Sequence, residues 1–205
     1  RPSRPGPGGE RLRQFVQPPL NLQDYASPLT GYRHLVDDQK KATLFTVAGL
    51  PDHGRIEVAT LDAYDGHVFS MDGESARFLR IGPSVYGTDA GTPRTLDIGI
   101  DNYASVWLPG GGDVRGVRFS GPRADDQAEG LYYNSYGGTL LTTAGVAAGD
   151  RYSVDLVVPP PTDDAAAQRV SQVPVGDVSR VPDVVGERAT ELIGDAHTPM
   201  EQLRA

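Results

Sequence analysis

The sequence predicts a mainly β protein, an antiparallel β-sandwich of roughly eight to ten strands with a short C-terminal helical extension. Three observations carry that prediction. Between Leu12 and Val158, turn residues recur about every 8–12 positions, the spacing of a sandwich or barrel rather than of βαβ units. The runs between them alternate apolar and polar residues with period two, and no helical period interrupts them. The 205 residues include 25 Gly and 17 Pro, which supply turns and disfavour long helices.

Taken in order, "ATLFTVAGLP" is a short β-rich run stopped by Gly49 and Pro51. "GRIEVATLDAY" places Ile56, Val58 and Thr60 on one face, the alternation of a half-buried strand. Asp65-Gly66 then supplies a hairpin signal before "HVFSM", and Asp72-Gly73 closes that strand. In "ARFLRIG", Phe78 and Arg80 alternate against Leu79 and Ile81. "PRTLDIGI" is the cleanest strand, with Leu96, Ile98 and Ile100 facing one way. "ASVWLP" and "VRGVRFSG" follow, and the glycine run "LPGGGDVRG" between them reads as a hairpin loop from Trp107 to Val114. "GLYYNSY" and "TLLTTAG" are joined through Gly137-Gly138. "DRYSVDLVVPPP" sets Tyr152, Val154, Leu156 and Val158 on one face and ends in its proline run.

After Pro161 the pattern becomes helical. "TDDAAAQRV" reads as a short helix capped by Thr162 or Asp163, and "SQVPVGDVSRVP" as a linker. "DVVGERATELIG" is an amphipathic helix with Val185, Ala189 and Leu192 on one face and Gly194 as its C-terminal glycine. "DAHTPMEQLRA" then opens another helix: Thr198, Pro199 and Glu201 form a capping box with proline at the first helical position. The expected division is a flexible linker over 1–13, a sandwich over 14–160, and a helical linker leading into a further element over 161–205. Both ends read as cuts within a longer polypeptide.

The formal charge of −8 argues against nucleic acid as a partner, because phosphate binding needs a basic patch. Arg1, Arg4, Arg11 and Arg13 are opposed by Glu10 alone and read as a solvated tail. No cysteine is present, which excludes a disulfide framework, a thiolate metal site and a thiol nucleophile in this chain.

His34, His53, His67 and His197 are scattered, with no pair at metal-ligand spacing. Asp62, Asp65, Asp72 and Glu74 lie close together but do not match a calcium loop, and turn chemistry accounts for them. No G-x-S-x-G elbow occurs, and the glycine run lacks the lysine of a phosphate loop. Asp97, Asp101 and Asp113 are the candidates for an unfamiliar carboxylate pair, without a spacing that supports one. No residue is therefore assigned a catalytic or metal-binding role, and no cofactor is expected. The surface candidate is "GLYYNSYGG": alternation puts Tyr132, Asn134 and Tyr136 on one face, and stacked tyrosines with an amide suit sugar or peptide binding. The same run reads more simply as a tyrosine-rich core strand.

"FVQPPLNLQDYASPLTGYRHLVDDQKKATLFTVAGLP", "ATLDAYDGHVF", "YASVWLPGGGDVRGVRFSG", "LYYNSYGGTLLTTAGVAAGDRYSVDLVVPPP" and "VPDVVGERATELIGDAHTPMEQLRA" together cover most of residues 14–205 in order. This succession resembles the extracytoplasmic region of actinobacterial transglutaminase-like membrane proteins of the TgpA type. The resemblance implies transmembrane helices, then this β domain, then a papain-like core with a Cys–His–Asp arrangement, none of which maps onto a residue here. It implies a location on the outer side of the cell membrane, and partners in the core and membrane region of the same polypeptide. Cell-wall polymer or protein is the further partner it suggests. The alternative from a different class is a carbohydrate- or peptidoglycan-binding module centred on Tyr132 and Tyr136.

Overall fold

A computed structural model describes residues 20–51, 54–65, 67–87, 90–159, 182–194, 196–198 and 201. The expected linker over 1–13, the "TDDAAAQRV" helix, His53 and Pro199 lie outside the described residues. A 3-10 turn (Leu22–Asp24) and a π-helical turn (His34–Asp38) precede the first strand. The strands are β1 (Phe45–Ala48), β2 (Ala63–Tyr64), β3 (Phe69–Ser70), β4 (Leu79–Arg80), β5 (Thr92–Ile100), β6 (Ser105–Leu108) and β7 (Asp113–Ser120). Helix α1 (Ala124–Glu129) then leads to β8 (Leu131–Asn134), β9 (Thr139–Val146) and β10 (Arg151–Val158), and α2 (Asp183–Ile193) stands after the sandwich.

The fold is a mainly β, antiparallel sandwich. Sheet I has the order β1-β5-β10-β7 and sheet II the order β4-β8-β9-β6, while β2 and β3 form a separate hairpin. One core fills the space between the two sheets. Leu96, Ile98 and Ile100 of β5, Val114 and Val117 of β7, and Tyr152 and Val154 of β10 meet Leu108 of β6, Leu131 and Tyr133 of β8, and Leu140 of β9. The alternation visible along β5 and β10 is the inward face of sheet I, because a half-buried strand must repeat with period two.

Sheet II is covered on its second face as well. Trp107, Leu141 and Phe78 form a smaller cluster there, with Tyr132, Val106, Val58, Met71, Leu20 and Leu22 packed around it. This explains why β6, β8 and β9 carry adjacent rather than alternating apolar residues. Trp107 and Leu108, paired with Leu141 and Leu140, point to opposite clusters.

Three expectations change in the fold. The glycine run after β6 is a crossing between sheets, not a hairpin loop, since β6 pairs with β9 and β7 with β10. Gly110 and Gly112 have positive φ there, and the N–H groups of all three glycines are bonded: Glu57 O accepts from Gly110 and Gly111, and Gly138 O from Gly112. Residues 54–62 form no ladder strand. They are pinned by the Glu57 carbonyl on the glycine run and by Thr139 Oγ1, which accepts from the Thr60 N–H at 3.0 Å, while Ile56 and Val58 pack on the core. Helix α1 interrupts the β run, held by tertiary contacts stronger than its short period. Arg123 and Gln127 both donate to Asp150 Oδ2, at 2.6 and 2.8 Å, and Arg123 also donates to Ala144 O.

One edge of sheet I is closed by the chain itself. Ser84 bridges to Gly116, and the Val85 N–H donates to Arg115 O at 2.7 Å. Gly116 permits this approach, since a Cβ there would stand 2.7 Å from Pro83 O.

The hydroxyls of three buried tyrosines converge on the β6–β7 crossing. Tyr103 donates to Trp107 O and Tyr152 to Pro109 O, each at 2.8 Å, and Tyr133 donates to Gly112 O at 2.7 Å while accepting from the Val114 N–H. Tyr152→Phe strands the buried Pro109 carbonyl, so chemical denaturation is expected to show a loss of about 1–3 kcal/mol with an unchanged denaturant slope. Burial raises all three phenol pKa values above the ordinary 10.0. The unfolded chain releases these protons near that value, so stability is undiminished below about pH 10 and falls as pH rises toward the folded values. Tyrosinate absorbance is expected to keep rising above pH 10.0 as Tyr103, Tyr133 and Tyr152 ionise, and to reach its full value with alkaline unfolding.

Candidate functional site

The three residues proposed for a tyrosine face do not share one. Strand β8 ends at Asn134, and Ser135 to Gly138 make the turn into β9, so the alternation stops before Tyr136. Tyr136 is 65% exposed on that turn, whereas Tyr132 lies half-buried against the Trp107 cluster. Asn134 is 1% exposed, and its amide is fully engaged. Its Nδ2 donates to Glu74 O and Arg77 O, both at 2.7 Å, and its Oδ1 accepts from the Gly137 N–H at 2.6 Å. Asn134 thus fastens the 74–77 turn to sheet II and presents nothing to a ligand.

The acidic run does turn work. Asp65 Oδ1 accepts from the His67 and Val68 N–H groups, each at 2.8 Å, and these bonds, Val68 first, hold its carboxyl below the usual range. Asp72 Oδ1 accepts from the Gly73 N–H, and Asp62 is bonded by the buried Ser75 hydroxyl. Among the described residues no group of three or more His, Asp or Glu is placed to hold a metal ion. His34 Nδ1 lies 2.8 Å from Asp38 Oδ2, a surface pair one helical turn apart, with both side chains mostly exposed. At the far end, Glu201 Oε2 accepts from the His197 and Thr198 N–H groups, and the Glu201 N–H donates to Thr198 Oγ1 at 3.2 Å.

What remains as a broad accessible feature is the outer face of sheet I. Register places Thr46, Gly99, Arg151 and Ser120 in one row across it, and Ala48, Asp97, Ser153 and Arg118 in the next. The third row holds Thr95, Asp155 and Gly116. Gly99 and Ser153 carry small side chains near the middle of this face, beside a groove of about 690 Å³. Arg118 grips both oxygens of Asp155, and Thr95 Oγ1 donates to the same carboxylate at 2.7 Å. That Arg118 contact is the main reason the Asp155 carboxyl is held below its ordinary value. Arg151 has no carboxylate partner among the described residues and is exposed beside the groove. Asp97 and Asp101 line this groove, while Asp113 sits at the opposite end of the sheet and pairs with Arg115. The three aspartates are therefore not one carboxylate centre. No sequence signal marked the groove, because small residues on an outward strand face look like ordinary solvent positions.

The geometry defines a two-sheet antiparallel β-sandwich with one face open and polar and the other covered by its own chain. Comparison with protein-family models, with curated proteins and with solved structures finds no match to this chain.

Asn134→Ala removes three hydrogen bonds from a buried position. The expected loss is about 2–4 kcal/mol from the carbonyls left bare, visible as a lower midpoint in thermal or chemical unfolding.

Proposed function

We propose that this chain is a non-catalytic, extracytoplasmic accessory domain of a membrane-anchored transglutaminase-like protein, spacing or bracing the core or presenting substrate to it. One observation carries the reading. Side chains of the kinds that do chemistry are committed to the scaffold, as in the Arg123–Gln127–Asp150 and Asn134 networks, while a broad polar sheet face is left open. A recognition or spacer module needs a rigid surface of that kind, whereas an enzyme needs a nucleophile and a base within hydrogen-bond reach. The succession of segments from 14 to 205 supports the transglutaminase-like parentage. Among the described residues no helix is long and apolar enough to cross a membrane, so in this reading the anchor belongs to another part of the polypeptide.

A carbohydrate-binding reading requires exposed aromatic rings presented together. Tyr132, Asn134 and Tyr136 do not provide them, and the aromatic residues that line the groove beside Gly99, Phe119 and Tyr152, belong to the core packing.

Two measurements test the proposal. The purified chain, given a glutaminyl peptide and an amine, is expected to show no acyl transfer; turnover abolished by one point substitution overturns the non-catalytic role. The native reading frame is expected to encode hydrophobic spans before residue 1 and a cysteine-bearing core after residue 205, and their absence overturns the parentage.

A further inference from the structure

The outer face of sheet II is aromatic and apolar, and one part of its cover, residues 20–28, is held to the sandwich by few hydrogen bonds. Trp107, the chain's single tryptophan, is 3% exposed at the centre of this face, beside Phe78, Tyr132, Leu141 and Met71. A strap formed by residues 20–28 lies over it. Leu20 and Leu22 pack into the cluster, and the Trp107 indole N–H donates to Ala26 O at 2.9 Å.

The strap satisfies its own polar groups. Asn21 Oδ1 caps the 3-10 turn by accepting from the Gln23 N–H, Asn21 Nδ2 donates to Asp24, and the Asp24 and Tyr25 N–H groups close on Asn21 O and Leu22 O. Among the described residues, no backbone-to-backbone hydrogen bond joins residues 20–28 to either sheet. None of these residues is fully buried. Beside the strap an open cleft of about 260 Å³ is lined by Leu22, Tyr25, Leu61, Met71 and Trp107.

We propose that the groove over Trp107 is a docking site for an extended segment, held here by the chain's own residues 20–28, which leave and return as a unit while the sandwich stays folded. The occupant defines what the groove selects. It takes two apolar side chains at alternate positions, Leu20 and Leu22, an aromatic side chain three positions on at Tyr25, and a main-chain carbonyl for the indole. The proposal stands independently of the accessory role argued above.

Trp107 reports directly on the strap. In the full chain, Leu22→Asp removes an anchor and sets a carboxylate against the groove. Tryptophan emission is expected to shift to longer wavelength and acrylamide quenching to rise severalfold, with the far-ultraviolet dichroism and the thermal transition of the sandwich retained. A synthetic peptide of residues 20–28, added in excess, is expected to return the emission saturably to its original position, and the same peptide carrying Leu22→Asp is not. Emission that does not shift, a shift that comes only with loss of β dichroism, or a peptide without effect overturns the proposal. The unmodified chain gives a second reading free of any folding defect in the variant. Quenching of Trp107 is expected to rise at denaturant concentrations below the global transition, and a rise coincident with that transition overturns the displaceable strap.

Discussion

The crossing from β6 to β7 is the constraint on which this sandwich depends. A chain that changes sheet must carry its peptide groups through the region between two apolar layers, where an unpaired carbonyl is costly. Here the phenols of Tyr103, Tyr133 and Tyr152 reach the carbonyls of Trp107, Gly112 and Pro109 from three different elements. Each tyrosine buries its ring in the core and places its one donor at the rim. The other crossings follow the same rule with different groups. Asn102 Nδ2 donates to Thr43 O at 2.8 Å at the exit of β5, and Asp150 Oδ2 receives the Ala147 N–H along with Arg123 and Gln127 between β9 and β10. Polar side chains thus sit where the backbone ladder is interrupted, and the sheets themselves are left to apolar packing.

That arrangement divides the two faces of the molecule. Sheet II is buried on both sides, so its strands tolerate Trp107 next to Leu108 and Leu140 next to Leu141. Sheet I is buried on one side only, and its outer rows are short, polar and balanced in charge, with Arg118 and Arg151 set among Asp97 and Asp155. The strap and the open groove therefore lie on opposite sides of the sandwich.

Much of the fold was legible in the sequence, and the parts that were not share a cause. Strands β5 and β10 are long and bury one face, so their period-two patterns state both the element and its orientation. The glycine run after β6 was legible as a turn but not as a crossing, because glycine serves both and only the distant tyrosines decide between them. Carrying the alternation on to Tyr136 sets Asn134 on a candidate binding face, while the simpler reading of the run as a core strand fits its burial; its partners, Glu74 O and Arg77 O, lie about sixty residues earlier. Helix α1 was invisible because six residues are too few to show a period, and its stability comes from Arg123 and Gln127 reaching Asp150. The Thr198–Glu201 exchange could be read locally, since all its partners fall within one helical turn. Side-chain networks that close over long sequence separations leave no such local trace.

Gly116 has a consequence for how molecules of this protein meet one another. At Arg115 and Gly116 the β7 edge is capped by Ser84 and Val85, and that cap approaches so closely that a single methyl group at 116 would collide with Pro83 O at 2.7 Å. Once the cover is displaced, the outer rim of β7 offers a row of unpaired amides and carbonyls to any extended chain, including another copy of itself. The missing side chain is in this sense a safeguard against self-association.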